Sequence, residues 1–200
     1  MKQALDRFSA NLNRARCLAA LSESLGKLTT AAVDLSDLLR AALVLAVSAL
    51  DHYVHELVRT GMVEVHQGGR PATDAHLSFR VPISAVRSAL ADPNQDQWLD
   101  QAISDAHSWQ SFQHPDRIAD ALRLISTVKL WETVARELGV QQGQAKAQLS
   151  ALVDRRNKIA HEADMDPTNP GQRWPIGPSV VEEALDFVDS LAKAIYKVVA

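Results

Sequence analysis

From Leu38 onward, apolar residues recur at three- and four-residue steps through Leu39, Leu43, Val47, Leu50, Val54, Leu57 and Val58 toward His66. That period belongs to a helix, because a half-buried strand would alternate every second residue. A helix this long cannot hide its stripe alone, so other elements must cover it and it becomes the spine of the core. Asp34, or Ser36 slightly later, is placed to cap its start. The most apolar run, Ala41 to Leu50, is interrupted by Ser48 and bounded by Arg40 and Asp51. It is about half the length a bilayer requires, so it reads as a buried helix.

The rest of the chain keeps the same period. Leu5, Phe8, Leu12, Ala15, Ala19 and Leu25 predict a first helix over about residues 2–25, ending near Gly26. Gln67-Gly68-Gly69-Arg70-Pro71 breaks the pattern, and the segment to Val81-Pro82 reads as a loop or insertion. A short helix is expected over Ile83 to Ala91. Another comes after Asp92-Pro93, with Trp98, Ile103, Ala106 and Trp109 as its apolar side. Pro115 suits the first turn of a helix carrying Ile118, Leu122, Ile125, Val128, Trp131, Val134, Ala135 and Leu138, with Gly139 as its stop. After a motif-bearing helix, Pro167, Pro170 and Gly171 enforce a loop. Ser179 and Glu182 have capping-box spacing for the last helix, through Leu185, Val188, Leu191, Ile195 and Val198. No strand pattern competes, so the chain is expected to be all-α.

Two hundred residues, 46% hydrophobic and 22% charged, suit one compact domain over 1–200. The net charge of -3 gives no global pull on a polyanion, so nucleic-acid contact must come from local clusters. Cys17 is the only cysteine, which excludes an intramolecular disulfide and a cysteine-based zinc site and fits a reducing cytoplasm. The N-terminal residues lack the apolar core of a signal peptide.

The chemistry is concentrated in Ala151 to Asp164, Ala-Leu-Val-Asp-Arg-Arg-Asn-Lys-Ile-Ala-His-Glu-Ala-Asp. Leu149, Leu152, Val153, Ile159 and Ala160 make a broken apolar stripe, with Arg155, Arg156, Asn157, Lys158 and His161 on the other faces. Five residues turn a helix about 140° and rise roughly 7.5 Å, so Arg156 and His161 do not project side by side. Asn157 and His161, four apart, do share a face. A second copy of the helix across a two-fold axis would bring both sets of groups into one cleft.

Arg156-Asn157-Lys158-Ile159-Ala160-His161 resembles the Arg-x-x-x-x-His motif of the HEPN superfamily, including the polar residue that comes after the arginine. The order of helices, with Phe112 to Leu138 before the motif and one helix after it, is similar to the branch called RiboL-PSP-HEPN over about residues 34–200. The resemblance implies an antiparallel helical bundle with additional helices. It also implies metal-independent RNA cleavage, in which the ribose 2′-hydroxyl attacks the adjacent phosphate and leaves a cyclic phosphate end. Arg156 would steady the phosphate charge. His161, as an imidazole with an ordinary pKa of about 6.5, would move a proton. Asn157 would support them, and Arg155 and Lys158 would contact RNA. The setting so implied is a homodimeric toxin or defence effector without a cofactor. The competing reading is a non-catalytic interaction module that holds a nucleotidyltransferase or antitoxin.

His52, His55 and Glu56 also cluster, but their order matches neither His-Glu-x-x-His nor His-x-x-Glu-His. Asp51/His55 and His52/Glu56 are ordinary four-residue pairs, so a polar patch or an RNA-placing surface is expected there and no metal site. His66, His76, His107 and His114 have no partner at diagnostic spacing, and Gly68-Gly69 lacks the frame of a phosphate loop.

Overall fold

The computed structural model describes residues 1–30, 32–92 and 95–200. Among them it contains α1 (Lys2–Gly26), α2 (Ser36–His66), α3 (Asp74–Leu77), α4 (Ile83–Ala91), α5 (Gln97–His107), α6 (Pro115–Leu122), α7 (Leu130–Leu138), α8 (Gln142–His161) and α9 (Pro178–Val199). The fold is all-α, with one isolated antiparallel bridge, Met165 to Arg173, among the described residues.

The expected spine is the observed one. α2 is buried along Leu39, Leu43, Val47, Leu50, Val54, Leu57 and Val58, and α1, α5, α6, α8 and α9 all pack against it. Its length and apolar composition would suffice to cross a membrane, but it forms the centre of the folded core. α1 covers it with Ala4, Phe8, Leu12 and Ala15. One apolar cluster runs from Ala4 to Val199 and joins α1, α2 and α5 to α9. The residue at the N-cap of α2 is Leu35, yet Asp34 still satisfies the helix start, because its carboxylate accepts the Ser36 backbone N–H at 2.9 Å.

Three expectations need correction. The single helix expected over 115–138 is two helices, α6 and α7. The chain tightens after Leu122, where the Leu124 and Ile125 N–H groups donate to residues three back, and the Thr73 hydroxyl takes the freed Arg123 carbonyl at 2.8 Å. Val128, assigned to the apolar stripe, therefore falls in the connection and is exposed. Trp131 keeps its core place and donates its indole N–H to the Pro115 carbonyl at 2.8 Å.

The capping box at Ser179 does not form. Pro178 occupies the first turn and Gly177 is the N-cap, which puts Ser179 two positions too far inside. Trp109 lies beyond the end of α5 and is 81% exposed, while His107 takes the buried position that ends that helix. The break expected at Asp92-Pro93 involves Pro93, which lies outside the described residues. The segment from 67 to 82 is a connection, as expected, but it contains the short α3, whose start is capped by Thr73 accepting the His76 N–H. Gly139 ends α7 in the left-handed region at φ 69°, a conformation a glycine adopts without a Cβ clash.

Candidate active site

α8 is thinly buried for its length. Its buried residues are Ala145, Leu149 and Val153, which pack toward α2 and α7. Arg156 continues that inner stripe, three residues past Val153, and is half-buried, with its Nε enclosed and without a partner among the described residues. Its Nη1 donates to the Asn157 Oδ1 at 3.0 Å. Asn157 thus holds one side of the guanidinium.

The opposite stripe runs Ala147, Ala151, Asp154, Lys158, His161, at steps of four, three, four and three. Ala147, Ala151, Asp154 and His161 on it are exposed. His161 is the last residue of α8. One chain therefore holds its arginine on the inner flank and its histidine on the outer one, as the five-residue step requires.

The turn beyond His161 has no counterpart in the sequence expectations. Ala163 and Asp164 both take left-handed backbone, φ 52° and 57°, an uncommon pair for residues with a Cβ. The Lys158 carbonyl accepts the N–H groups of both Glu162 and Asp164 at 3.0 Å. The turn sends the Asp164 side chain inward, where it is 0% exposed. There its Oδ2 accepts Arg40 Nε at 2.6 Å and Arg155 Nη2 at 2.9 Å. Both arginines also donate to the Trp174 carbonyl, Arg40 at 2.9 Å and Arg155 at 3.1 Å. The Trp174 N–H returns to the Asp164 carbonyl at 2.9 Å. The Lys158 ammonium lies 5.3 Å from the centre of the Trp174 ring, within reach of a cation–π attraction.

This clamp joins α2, the end of α8 and the loop before α9. Burial pushes the Arg155 pKa down, opposed by the Asp164 carboxylate and reinforced by Arg40. An arginine remains charged under such pressure, so two cations share one buried carboxylate. Of the five expected site residues, the structure gathers Arg156 and Asn157 into one contact and leaves His161 at the exposed helix end. It turns Arg155 inward and lays Lys158 over Trp174. Sequence reasoning missed Arg40, Asp164 and Trp174. Arg40 carried a signal: it stands three residues before Leu43 and seven before Val47 on the stripe of α2, where a charge needs a buried partner.

The His52/His55/Glu56 cluster lies elsewhere, around a pocket of about 350 Å³ shared with Ile103 and His107. Glu56 is paired with Arg7, and His52 Nε2 is 3.8 Å from it. His55 packs on Phe112, with ring centres 4.3 Å apart. Among the described residues, no group of three or more His, Cys, Asp or Glu is arranged to hold a metal ion.

The helical bundle and the Arg-Asn-x-x-x-His helix on its edge define an all-α protein whose distinctive side chains lie on a single lightly packed helix. The family model described as RiboL-PSP-HEPN matches residues 9–200, and the chain belongs to that family. The match begins inside α1, so it takes in most of the first helix, which lies outside the span of the sequence resemblance. No curated protein and no solved structure matches the chain.

Proposed function

We propose that the protein is a metal-independent endoribonuclease whose site is completed by a second copy of the chain. The observation that carries the reading is the division of α8: Arg156 and Asn157 on the inner flank, His161 on a free outer stripe. Membership of a HEPN family supports assigning chemistry to this pair. A two-fold mate lying along the Ala147–Ala151 side could approach closely because those side chains are small, and it would bring its own motif helix to the same cleft. The guanidinium of Arg156 is a planar fork for phosphate oxygens as negative charge builds on them. The imidazole of His161 is the proton donor or acceptor for the reacting oxygens. In the reaction, the ribose 2′-oxygen forms a bond to phosphorus as its proton leaves. The bond to the 5′-oxygen breaks, and that oxygen takes up a proton. The products are a cyclic phosphate and a free 5′-hydroxyl. Lys158 would add a phosphate contact beside the site, and a lone thiol fits work in a reducing cytoplasm.

The test is incubation of purified wild type and His161→Ala with total RNA in excess chelator, followed by chemical identification of the new ends. Cyclic phosphate ends from the wild type alone are expected. Intact RNA with both proteins would favour the second reading, a HEPN interaction module that uses the same face of α8 to hold an antitoxin or nucleotidyltransferase. That reading is favoured by one observation, the exposure of the outer stripe.

A further inference from the structure

We propose that Arg155 is a positioning residue for His161 and not a ligand for RNA, acting through the Asp164 carboxylate that it shares with Arg40. The inference rests on the ribonuclease reading for its kinetic consequence, but its structural content stands apart from it.

The end of α8 must be held still by something. His161 is the last helical residue, and helix ends fray unless their groups find partners. Apolar packing holds it only loosely here, because the last fully buried apolar residue of α8 is Val153, eight positions earlier, and beyond it Ile159 is only partly buried against the core. The chain instead turns back through Ala163 and Asp164 in left-handed conformations, which persist only where the surroundings over-determine them. The surroundings that do so are ionic. Asp164 is fully enclosed, and its Oδ2 accepts from α2 through Arg40 and from α8 itself through Arg155. Arg40 anchors the turn to the spine, and Arg155 anchors the helix to the turn.

Arg155 Nη2 also reaches the Trp174 carbonyl at 3.1 Å and the Pro175 carbonyl at 3.3 Å. A guanidinium so engaged points away from the outer stripe. An RNA phosphate would have to break these bonds to bind it. The same bonds fix the direction in which α8 ends, six residues after Arg155, and so the place where the imidazole stands. Misplacing a reacting group by about 1 Å can cost on the order of a hundredfold in rate.

Arg155→Met keeps most of the packing stem and leaves Asp164 with one arginine, Arg40, so the buried charges remain balanced. In full-length protein, RNA cleavage at saturating substrate should fall about tenfold to a hundredfold, with KM within about twofold. The His161 imidazole resonance, assigned by its loss in His161→Gln, should move. Arg155→Lys retains the charge without the fork and should give an intermediate rate and an intermediate resonance, and it serves in place of Arg155→Met should that variant not fold. Lower melting temperature with unchanged kcat and an unmoved resonance would overturn the proposal. So would a raised, salt-dependent KM at unchanged kcat, the mark of a lost RNA contact. The resonance reads His161 whether or not RNA is cleaved. If the wild type is inactive but the resonance shifts, the ribonuclease reading fails and the positioning role stands.

Discussion

Asp164→Asn isolates the charge at the centre of the clamp. Asparagine has nearly the same shape and tolerates left-handed backbone as aspartate does, so the φ of 57° does not by itself penalise the substitution. An acceptor oxygen remains for Arg40 and Arg155, but the negative charge is gone and two guanidinia face each other. The Arg40 side chain is 7% exposed and that of Arg155 22%. Removing one partner from a buried pair costs roughly 3–5 kcal/mol. The retained acceptor and the partial exposure of Arg155 place the expected loss near the lower end, about 3 kcal/mol. For a chain of this length, each kcal/mol moves the melting temperature by about 2–4 °C, so a fall of roughly 6–12 °C is expected. The assay is urea unfolding monitored by far-ultraviolet circular dichroism. Protomer concentration is held fixed, because any dimer adds its own linkage. The midpoint should fall with the slope unchanged. The difference should persist at high salt, which screens exposed pairs and spares enclosed ones. A loss under about 1 kcal/mol that vanishes in salt is what an exposed pair would show. That result would refute the view that Asp164 works as a desolvated anchor.

Burial lowers the pKa values of His55, His76 and His107 from the ordinary 6.5. The folded state thus takes up these protons less readily than the unfolded chain, and their stability contribution is complete above pH 6.5 and lost as pH falls through the folded values. The urea midpoint should drop between pH 7 and 5, by less in His107→Phe, and a flat profile in wild type would contradict this. Thr73→Val removes the hydroxyl that caps α3 and donates to the Arg123 carbonyl, at a cost of about 2 kcal/mol. Faster hydrogen exchange at His76 than in wild type is the check. Arg156→Lys keeps the charge and loses the fork, so cleavage should slow strongly in a protein that is still folded. Dimers mixing Arg156→Ala with His161→Ala protomers should recover one competent combination if a cleft takes its arginine from one chain and its histidine from the other. Verified mixed dimers with no activity would reject that arrangement.

The parts of the fold that could be read from the sequence were those set by repeating apolar spacing. α2 and α9 bury the stripes expected of them, because a long helix averages over many positions and a single deviation does not change its inner face. The join between α6 and α7 was hidden for the opposite reason. Ile118, Leu122, Ile125, Val128 and Trp131 keep helical spacing across it, while the break is secured by a hydroxyl fifty residues away in sequence, Thr73. The motif residues were visible because their spacing is local. The clamp was not, since Arg40 and Asp164 are 124 residues apart and meet only after α8 is laid on α2.

The clamp and the free face of α8 answer opposing demands. A helix that, on the proposed reading, presents Ala147, Ala151 and His161 to a second chain cannot also bury that side against its own core, and beyond the fully buried Val153 only the partly buried Ile159 packs inward. The proposed catalytic residues lie beyond Val153, where packing is thin and stiffness must come largely from polar contacts. Apolar side chains of similar volume in place of Arg40, Asp164 and Arg155 could match or exceed the stability, because they carry no desolvation cost. They would leave the end of α8 free to slide and rotate, since apolar contact has no preferred direction. Hydrogen bonds between charged groups have one, and here they converge from α2 and α8 on a single carboxylate oxygen, while the Trp174 carbonyl accepts from the same two arginines. The arrangement fixes the angle at which the helix ends and takes no surface from the face that a partner would cover.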